Sequence, residues 1–465
     1  MLPLKFFLTL HLYWRGCWRW LLLVSSTAAI VIALGLSAPA DYGRYEPAER
    51  VDLPVTTRGI GIEARIREIE QTWEADYTNF LRSPSGLQPL DGATVSATLA
   101  QISTQTGHRL GLIYIVPEAD GLELVLASPE MEAVQYWLPA VTRSRFEAEV
   151  NELQRQIVRP NSDRYLAPAQ QLYQWLIAPM EADLTEQSID TLVFCVGERV
   201  RSLPLAALHD GQQFLVEKYD LGLIPALTLT DPQFRALRQV DVLAMGASEF
   251  DTLADLPAVS VELSTVADEL WPGSIHLNAD FTKQALQNEL AQAQYEIVHL
   301  ATHAEFQAGN PDQSFIQFWQ DEQLNLLELR DLDWQTLPVE LLVLSACQTA
   351  LGNQQAELGF AGLAYQTGVR SALASLWSVS DVGTLALMRE FYGQLAQAEG
   401  STRAEVLGLT QRAIIHGEVV LTETQLVNSK GRAIALPASL QAQNTNLDLS
   451  HPFYWAPFVL VGAPW

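Results

Sequence analysis

The sequence has few cysteines and few charged residues, and each shortage excludes classes of protein. The 465 residues contain three cysteines, with no CxxC pair and no Cys/His spacing of a structural zinc site, so no disulfide framework is expected. Charged residues make up 18% of the chain, which indicates a hydrophobic anchor or a large buried sheet. Acidic residues outnumber basic ones by 54 to 28, and a net charge of −26 repels phosphate backbones. Nucleic-acid binding is therefore not expected.

Several enzyme signatures are also missing. The sequence has no G-x-S-x-G nucleophile elbow, no G-x-x-x-x-G-K-[ST] phosphate loop and no HExxH zinc motif. His299 and His303 form an HxxxH pair, but residues four apart on a strand are separated by ~13 Å, which is too far for one metal ion. We therefore predict no metal and no cofactor, and interpret His299 as a core or supporting histidine.

The N-terminal region holds the longest apolar stretch. Residues Trp20 to Ala40 carry no charge over 21 positions, which is long enough to span a bilayer as a helix, and Trp14 and Trp18 suit an interfacial belt. Three basic residues precede the stretch and three follow it by residue 58, so its orientation is undetermined. We expect a single-pass membrane anchor. The alternative is a signal peptide cleaved near Ala38-Pro39-Ala40, which would give a secreted protein.

The rest of the chain alternates short apolar runs with helical stretches, which predicts an α/β fold with a mostly parallel central sheet flanked by helices. We divide it into an anchor or signal (1–40), a linker (41–61), an N-terminal helical and strand part (62–167) and a main domain (168–465) with an insertion at about 417–450. The predicted strands are Leu110–Val116, Leu122–Leu126, Thr191–Val196, Val240–Met245, Ile297–Thr302, Leu341–Ala346, Ser371–Trp377 and Phe453–Val461. The predicted helices include an amphipathic stripe from Ile62 to Phe80, then Pro168–Leu176, Val259–Leu270, Thr282–Ala293, Leu358–Thr367, Val382–Ala398 and Thr402–His416.

Two chemically active side chains stand at the ends of two of these strands. His303 ends the apolar run that begins at Tyr295, and Cys347 ends the run that begins at Val339. The carboxyl ends of parallel strands share one edge of a sheet, where ligands of such sheets bind. If the two strands are neighbours, at ~4.8 Å spacing, the imidazole and the thiol can meet there.

This pairing has a chemical use. A histidine within hydrogen-bond reach can take the thiol proton to form a thiolate nucleophile, and can then protonate the leaving amine. The backbone amides of Cys347 and Ala304 are candidates for an oxyanion hole. Each residue also has a structural alternative, because a lone strand-end cysteine is usually a small buried hydrophobe, as we interpret Cys195.

Five separated blocks of sequence, in order, resemble the CHAT family of caspase-like domains, which in bacteria are often joined to tetratricopeptide repeats. The matching blocks are Gly197–Gly211, His299–Phe306, Leu342–Ala350, Gly362–Asp381 and His451–Gly462. The resemblance implies a caspase–haemoglobinase fold, peptide hydrolysis of a protein substrate, His303 as base and Cys347 as nucleophile. The chain departs from the family's usual architecture because it has no tetratricopeptide array.

The resemblance also assigns a role to Asp381, which lies in the segment Leu376-Trp377-Ser378-Val379-Ser380-Asp381. In separase, a relative, the aspartate of a similar segment contacts a basic residue before the cleaved bond, so Asp381 would bind a substrate Arg or Lys. The alternative is that Asp381 caps the helix predicted to begin near Val382. At the level of the whole protein, the alternative to a cysteine endopeptidase is a catalytically silent scaffold for protein interactions.

Overall fold

The computed structural model describes residues 56, 61–81, 90–197, 200–237, 240–305, 307, 311–332, 334, 337–345, 362–397, 400–441 and 447–465. The predicted anchor, Cys17 and Cys347 lie outside these residues.

The expectation of a transmembrane helix in the fold, and with it of a membrane location, needs correction. Within the described ranges, no helix combines the length and the apolar character needed to cross a bilayer. The long helix Ile62–Leu81 is amphipathic and carries the charged residues Glu63, Arg65 and Glu68 near its start. The membrane part of the predicted fold class is therefore wrong for the structure as described.

The elements of the N-terminal half are α1 (Ile62–Leu81), α2 (Gly92–Thr106), β1 (Leu110–Glu118), β2 (Gly121–Ala127), β3 (Val134–Leu138), α3 (Arg143–Ile157), α4 (Leu166–Leu176), α5 (Glu181–Glu186), β4 (Thr191–Val196), α6 (Leu215–Lys218) and β5 (Asp220–Ile224). The central elements are β6 (Val242–Gly246), α7 (Val259–Ser264), β7 (Gly273–Leu277), α8 (Lys283–Gln292), β8 (Ile297–Ala301), β9 (Ala304–Glu305), β10 (Phe315–Gln317), β11 (Gln323–Asn325), α9 (Leu326–Arg330) and β12 (Leu341–Leu344). The last elements are α10 (Leu363–Thr367), β13 (Ser371–Ser375), α11 (Asp381–Leu395), α12 (Arg403–Ile415), β14 (Val420–Leu421), β15 (Gln425–Val427), β16 (Ala433–Ala435), α13 (Ala438–Gln441), α14 (Pro452–Trp455) and β17 (Phe458–Gly462).

The described strands form a large central sheet in the order β3-β2-β1-β4-β5-β17-β13-β12-β8-β6-β7. It is mostly parallel, as the sequence predicts. Strands β1, β4, β5 and β17 run in one direction, and strands β13, β12, β8, β6 and β7 run in the other. The two groups meet at the antiparallel pair β13 and β17. Every residue of β8 and β12 is buried, as expected for apolar strands covered on both faces.

The main departures from the predicted elements have local causes. The predicted final strand starts instead with α14, because Pro452 suits a first helical position and the imidazole of His451 accepts the amide of Phe453 at 3.1 Å. Within the region predicted as an insertion, β14, β15 and β16 form a small antiparallel sheet. Within the central sheet, the sequence analysis does not predict strands β3, β5 and β7.

The N-terminal helix α1 packs as the stripe predicts. Ile66, Ile69, Trp73 and Tyr77 are all at most 5% exposed. The first three join one hydrophobic cluster with residues of β1, β2 and β4, whereas Tyr77 joins the larger cluster. This region therefore belongs to the hydrophobic core that supports the central strands.

Candidate active site

His303 and Asp381, two predicted site residues that the structure describes, lie at one edge of the central sheet. Strands β6, β8, β12 and β13 are parallel neighbours, so their carboxyl ends open onto the same edge. The segment Ala247–Ala258 follows β6, His303 follows β8, and Asp381 follows β13. The fold therefore brings His303 and Asp381 to the same edge, after the two strands that flank β12.

His303 is held in place by its own backbone and by a short strand that follows it. Its carbonyl accepts the amide of Gln317 at 2.8 Å, and the next two residues, β9, pair with β10. This pairing ends β8 and turns the chain outward, which leaves the imidazole half-buried at the edge of the sheet.

The imidazole of His303 contacts the segment between β6 and α7. Its Nε2 lies 2.8 Å from the carbonyl oxygen of Ala254, and its ring centroid lies 4.8 Å from that of Phe250. A carbonyl oxygen only accepts, so Nε2 must carry the proton of this hydrogen bond. In the neutral ring Nδ1 is then the acceptor, and it is the nitrogen left to receive another proton.

Ala304, whose amide is a predicted oxyanion donor, is a buried residue of β9 that lies opposite Ile316. Its neighbour His303 is hydrogen-bonded to Gln317 in the same ladder. Hydrogen-bonded and non-hydrogen-bonded positions alternate in an antiparallel pair, so Ala304 occupies a non-hydrogen-bonded position. Its N–H therefore points away from β10.

Cys347, the predicted nucleophile, lies outside the described residues. The structure describes its strand as far as Ser345, whose amide donates to the carbonyl of Leu300 at 2.9 Å. Cys195, by contrast, is completely buried in β4, where burial raises the pKa of its thiol well above the usual value. An unreactive structural cysteine fits that environment.

Asp381 is the first residue of α11, and it does not cap that helix. The cap is Ser380, whose hydroxyl accepts the amide of Gly383 at 3.2 Å. The Asp381 carboxylate instead accepts the amide of Ala258, at the start of α7, at 2.7 Å. The segment Ala247–Ala258 therefore contacts both residues: Ala254 contacts His303, and Ala258 contacts Asp381.

The Asp381 carboxyl group is destabilised as an anion. Burial raises its pKa from 3.8 to about 7; the charge of Glu262 adds to this rise, and the hydrogen bond from Ala258 opposes it. Strongly shifted carboxyl groups at the edge of a sheet are typical of functional sites.

This shift predicts how stability depends on pH. The folded-state pKa of Asp381 lies above the unfolded value. The stabilisation that the protonated carboxyl gives the folded state is therefore fully present below about pH 4 and is lost as pH rises through about 7. Asp381→Asn cannot ionise and so avoids this loss, while its side-chain oxygen can still accept the amide of Ala258. We expect the variant to be about 2 kcal/mol more stable than the native chain at pH 8, with a smaller difference at pH 5. Urea unfolding at both pH values tests this, with the exposed Asp268→Asn as control; an equal difference at both would contradict it.

Some features of the site have no signal in the sequence. Ala254 and Ala258 act through backbone atoms, which any residue provides. Glu262 of α7 and Tyr392 of α11 read as ordinary helix residues, yet both are buried beside His299, which the sequence analysis interprets as a supporting histidine. The sequence analysis named His303 from its position at a strand end and Asp381 from the family resemblance.

Comparison with known proteins gives one match over most of the chain. A sequence model described as the CHAT domain matches residues 166–463. No curated protein matches the chain.

Solved structures give more distant likenesses. Two structures of the Saccharomyces cerevisiae separase–securin complex are similar, with 11% and 10% identity and TM-scores of 0.45 and 0.46. Both alignments cover 86% of this chain and 33% of the other, so the chain spans one third of the separase-complex chain that it matches. The complex of Porphyromonas gingivalis RgpB pro- and mature domains is similar at 10% identity and a TM-score of 0.40, covering 69% and 75% of the two chains. The family assignment rests on the sequence match, which spans more than half of the chain and confirms the resemblance of the motifs: the chain belongs to the CHAT domain family.

Proposed function

We propose that this chain is a caspase-like cysteine endopeptidase, in which His303 is the base, Cys347 is the nucleophile and Asp381 binds an Arg or Lys side chain before the cleaved bond. The observation that carries the proposal is the register between β8 and β12. Each described residue of β12 lies opposite the residue 44 positions earlier in β8, as Leu341 lies opposite Ile297 and Leu344 opposite Leu300. Cys347 follows His303 by the same 44 positions. This equal spacing supports the proposal that the imidazole and the thiol meet beyond the ends of the two neighbouring strands.

The hydrogen bond of His303 suits the reaction. With the Nε2 proton held by the carbonyl of Ala254, Nδ1 is free to accept the thiol proton of Cys347. The resulting thiolate attacks the peptide carbonyl carbon, and the tetrahedral intermediate expels the amine as the imidazolium returns the proton to the departing nitrogen. A water molecule then cleaves the thioester, with His303 taking its proton, and restores the thiol.

The oxyanion of each tetrahedral intermediate needs donors beside the sulfur. The amide of Ala304, directed away from β10 by the alternation of the ladder, supports one donor. The second donor in the proposal is the amide of Cys347, because it belongs to the same residue as the attacking sulfur. Both donors are backbone groups, so the role of Ala304 does not depend on its side chain.

Charge supports a basic substrate. Between Val240 and Val369 the sequence contains 19 carboxylates and two cations, Lys283 and Arg330. Three of these carboxylates, Glu249, Asp251 and Asp255, are exposed on the segment that contacts His303 and Asp381. Such a field attracts cationic peptides, and a substrate guanidinium would offset the burial cost of an ionised Asp381.

A peptide probe tests the proposal. An acyloxymethyl ketone with Arg next to the reactive group should label the purified full chain once, and peptide mapping should locate the adduct on Cys347. Cys347→Ala should not be labelled, whereas Cys195→Ala should be labelled like the native chain, because Cys195 is buried in β4. Labelling that persists in Cys347→Ala would reject the nucleophile. No labelling of a folded native chain would favour the silent scaffold.

A further inference from the structure

A buried polar cluster lies beside the edge that carries His303 and Asp381. It consists of Glu262 on α7, His299 on β8, Ser345 at the end of β12 and Tyr392 on α11, and none of these side chains is more than 3% exposed. We call it the Glu262 cluster. It joins four elements that converge under the proposed site, yet the proposed reaction uses none of its members.

The contacts inside the Glu262 cluster centre on one carboxylate oxygen. The hydroxyl of Ser345 donates to Oε1 of Glu262, and Nε2 of His299 lies 2.9 Å from the same oxygen. That ring nitrogen is not aligned for a proper hydrogen bond, so its contact with the carboxylate is mainly electrostatic. On the other side of the ring, Nδ1 lies 2.9 Å from the hydroxyl of Tyr392. The chain of contacts therefore runs from β12 through α7 and β8 to α11.

Placing a carboxylate here is costly for folding. A buried carboxylate loses its hydration, and well-packed apolar side chains often stabilise such a place better than an ionic group does. Burial raises the pKa of the neighbouring Asp381 carboxyl and Tyr392 hydroxyl, and the negative charge of Glu262 adds to both rises. A group that opposes folding and sits beside a proposed reaction centre calls for a functional explanation.

The position of Ser345 gives that explanation. Its amide donates to Leu300 and so continues the ladder between β12 and β8, while its hydroxyl binds Glu262. Ser345 is thus fixed both to the neighbouring strand and to α7, and Cys347 follows only two residues later.

The same helix also reaches Asp381. The amide of Glu262 donates to the carbonyl of Ala258 at 2.9 Å, and the amide of Ala258 donates to Asp381. One helical turn therefore joins the carboxylate that binds Ser345 to the amide that binds the proposed specificity residue. The orientation of α7 sets both contacts together.

We propose that Glu262 is a positioning residue: through Ser345 it fixes the end of β12 that presents Cys347, and through the first turn of α7 it fixes the amide that holds Asp381. The inference rests on the proposed function, since it assigns Cys347 as the group to be positioned. It predicts that losing the Ser345 contact slows the chemical step and the reaction of the thiol, while binding of the substrate's basic side chain is kept.

The test compares Ser345→Ala and Glu262→Gln with a matched control, Glu269→Gln. Glu269 lies on the helical segment that continues α7 and pairs with Arg389 of α11 at 3.5 Å, so the control removes a carboxylate from the same segment and a contact with the same partner helix. The rate of Cys347 alkylation by iodoacetamide is followed by peptide mapping in the full chain, and kcat and KM are measured with a P1-Arg peptide. Thermal unfolding reports whether each variant is folded.

We expect Ser345→Ala and Glu262→Gln to lower the alkylation rate and kcat by about tenfold or more, because a misplacement of ~1 Å costs up to ~100-fold. KM of Ser345→Ala should stay within about threefold of the native value, and Glu269→Gln should match the native chain throughout. Native alkylation and kcat in Ser345→Ala would overturn the inference, even if Glu262→Gln failed to fold. Equal losses in all three variants, in step with stability, would overturn it in favour of a purely structural cluster. Because alkylation needs no substrate, it separates failure of this inference from failure of the peptidase, which is judged by hydrolysis and by Cys347→Ala.

Discussion

His303→Ala is expected to lower kcat for a P1-Arg peptide by about 10²–10⁴-fold, since general-base catalysis contributes a factor of this size. The physical reason is the position of the imidazole, which is fixed by Ala254 at Nε2 and leaves Nδ1 to accept the thiol proton. Cys347→Ala is expected to leave no turnover above background, because no other side chain in the proposal supplies a nucleophile. Both rates are measured with a fluorogenic peptide on the full chain.

The pH dependence of Cys347 alkylation tests whether His303 acts as the base. If His303 is the base, the native chain should show an increased thiolate fraction of Cys347 at neutral pH, whereas in His303→Ala alkylation should follow an ordinary thiol with a pKa near ~8.5. His299→Gln is not a suitable control, because His299 is buried in the Glu262 cluster. His276→Gln is suitable, since His276 lies on β7 and contacts Glu289 of α8. An alkylation profile that is the same with and without His303 would contradict its role as base.

Asp381→Asn is expected to lower kcat/KM for Arg and Lys peptides by about 10²–10³-fold, while a peptide with norleucine at the same position changes by less than about threefold. Breaking a buried ion pair by removing one partner costs ~3–5 kcal/mol, and each ~1.4 kcal/mol is a factor of ten. Steady-state kinetics with the three peptides measures the change. A uniform loss across all three would point to a structural role for Asp381 instead of recognition.

The native chain is expected to show the same preference as a function of pH. The pKa of Asp381 is raised to about 7 by burial, and only the ionised form attracts a cation. The ratio of kcat/KM for the Arg peptide to that for the norleucine peptide should therefore rise with pH through about 7 and level off above it. In Asp381→Asn the ratio should be flat.

The sequence predicts the edge of the sheet better than its surroundings. The strand that precedes His303 is a continuous apolar run, and the end of such a run predicts where the next polar side chain emerges, so the position of His303 follows from periodicity. Asp381 was assigned from the resemblance to the CHAT family and not from periodicity. The direction reversal between β13 and β17 could not be predicted, because an apolar strand buried on both faces reads the same in either direction.

Contacts made by backbone atoms are also invisible in the sequence. The carbonyl of Ala254 and the amide of Ala258 hold His303 and Asp381, yet alanine at these positions suggests only an ordinary loop. Asp381 was a possible helix cap until the structure gave that role to its neighbour Ser380, because residues this close in sequence compete for the same cap. The assignment of Cys347 stays a prediction, supported by the register of β12 and β8.

The structure of the full chain with a P1-Arg acyloxymethyl ketone bound would test the pairing of His303 and Cys347 most directly. We expect the inhibitor on the sulfur of Cys347, Nδ1 of His303 within about 4 Å of that sulfur, and the guanidinium on the Asp381 carboxylate at hydrogen-bond distance, about 2.8 Å. A sulfur that lies in a different cavity from the imidazole, or one separated from it by another strand, would contradict the account.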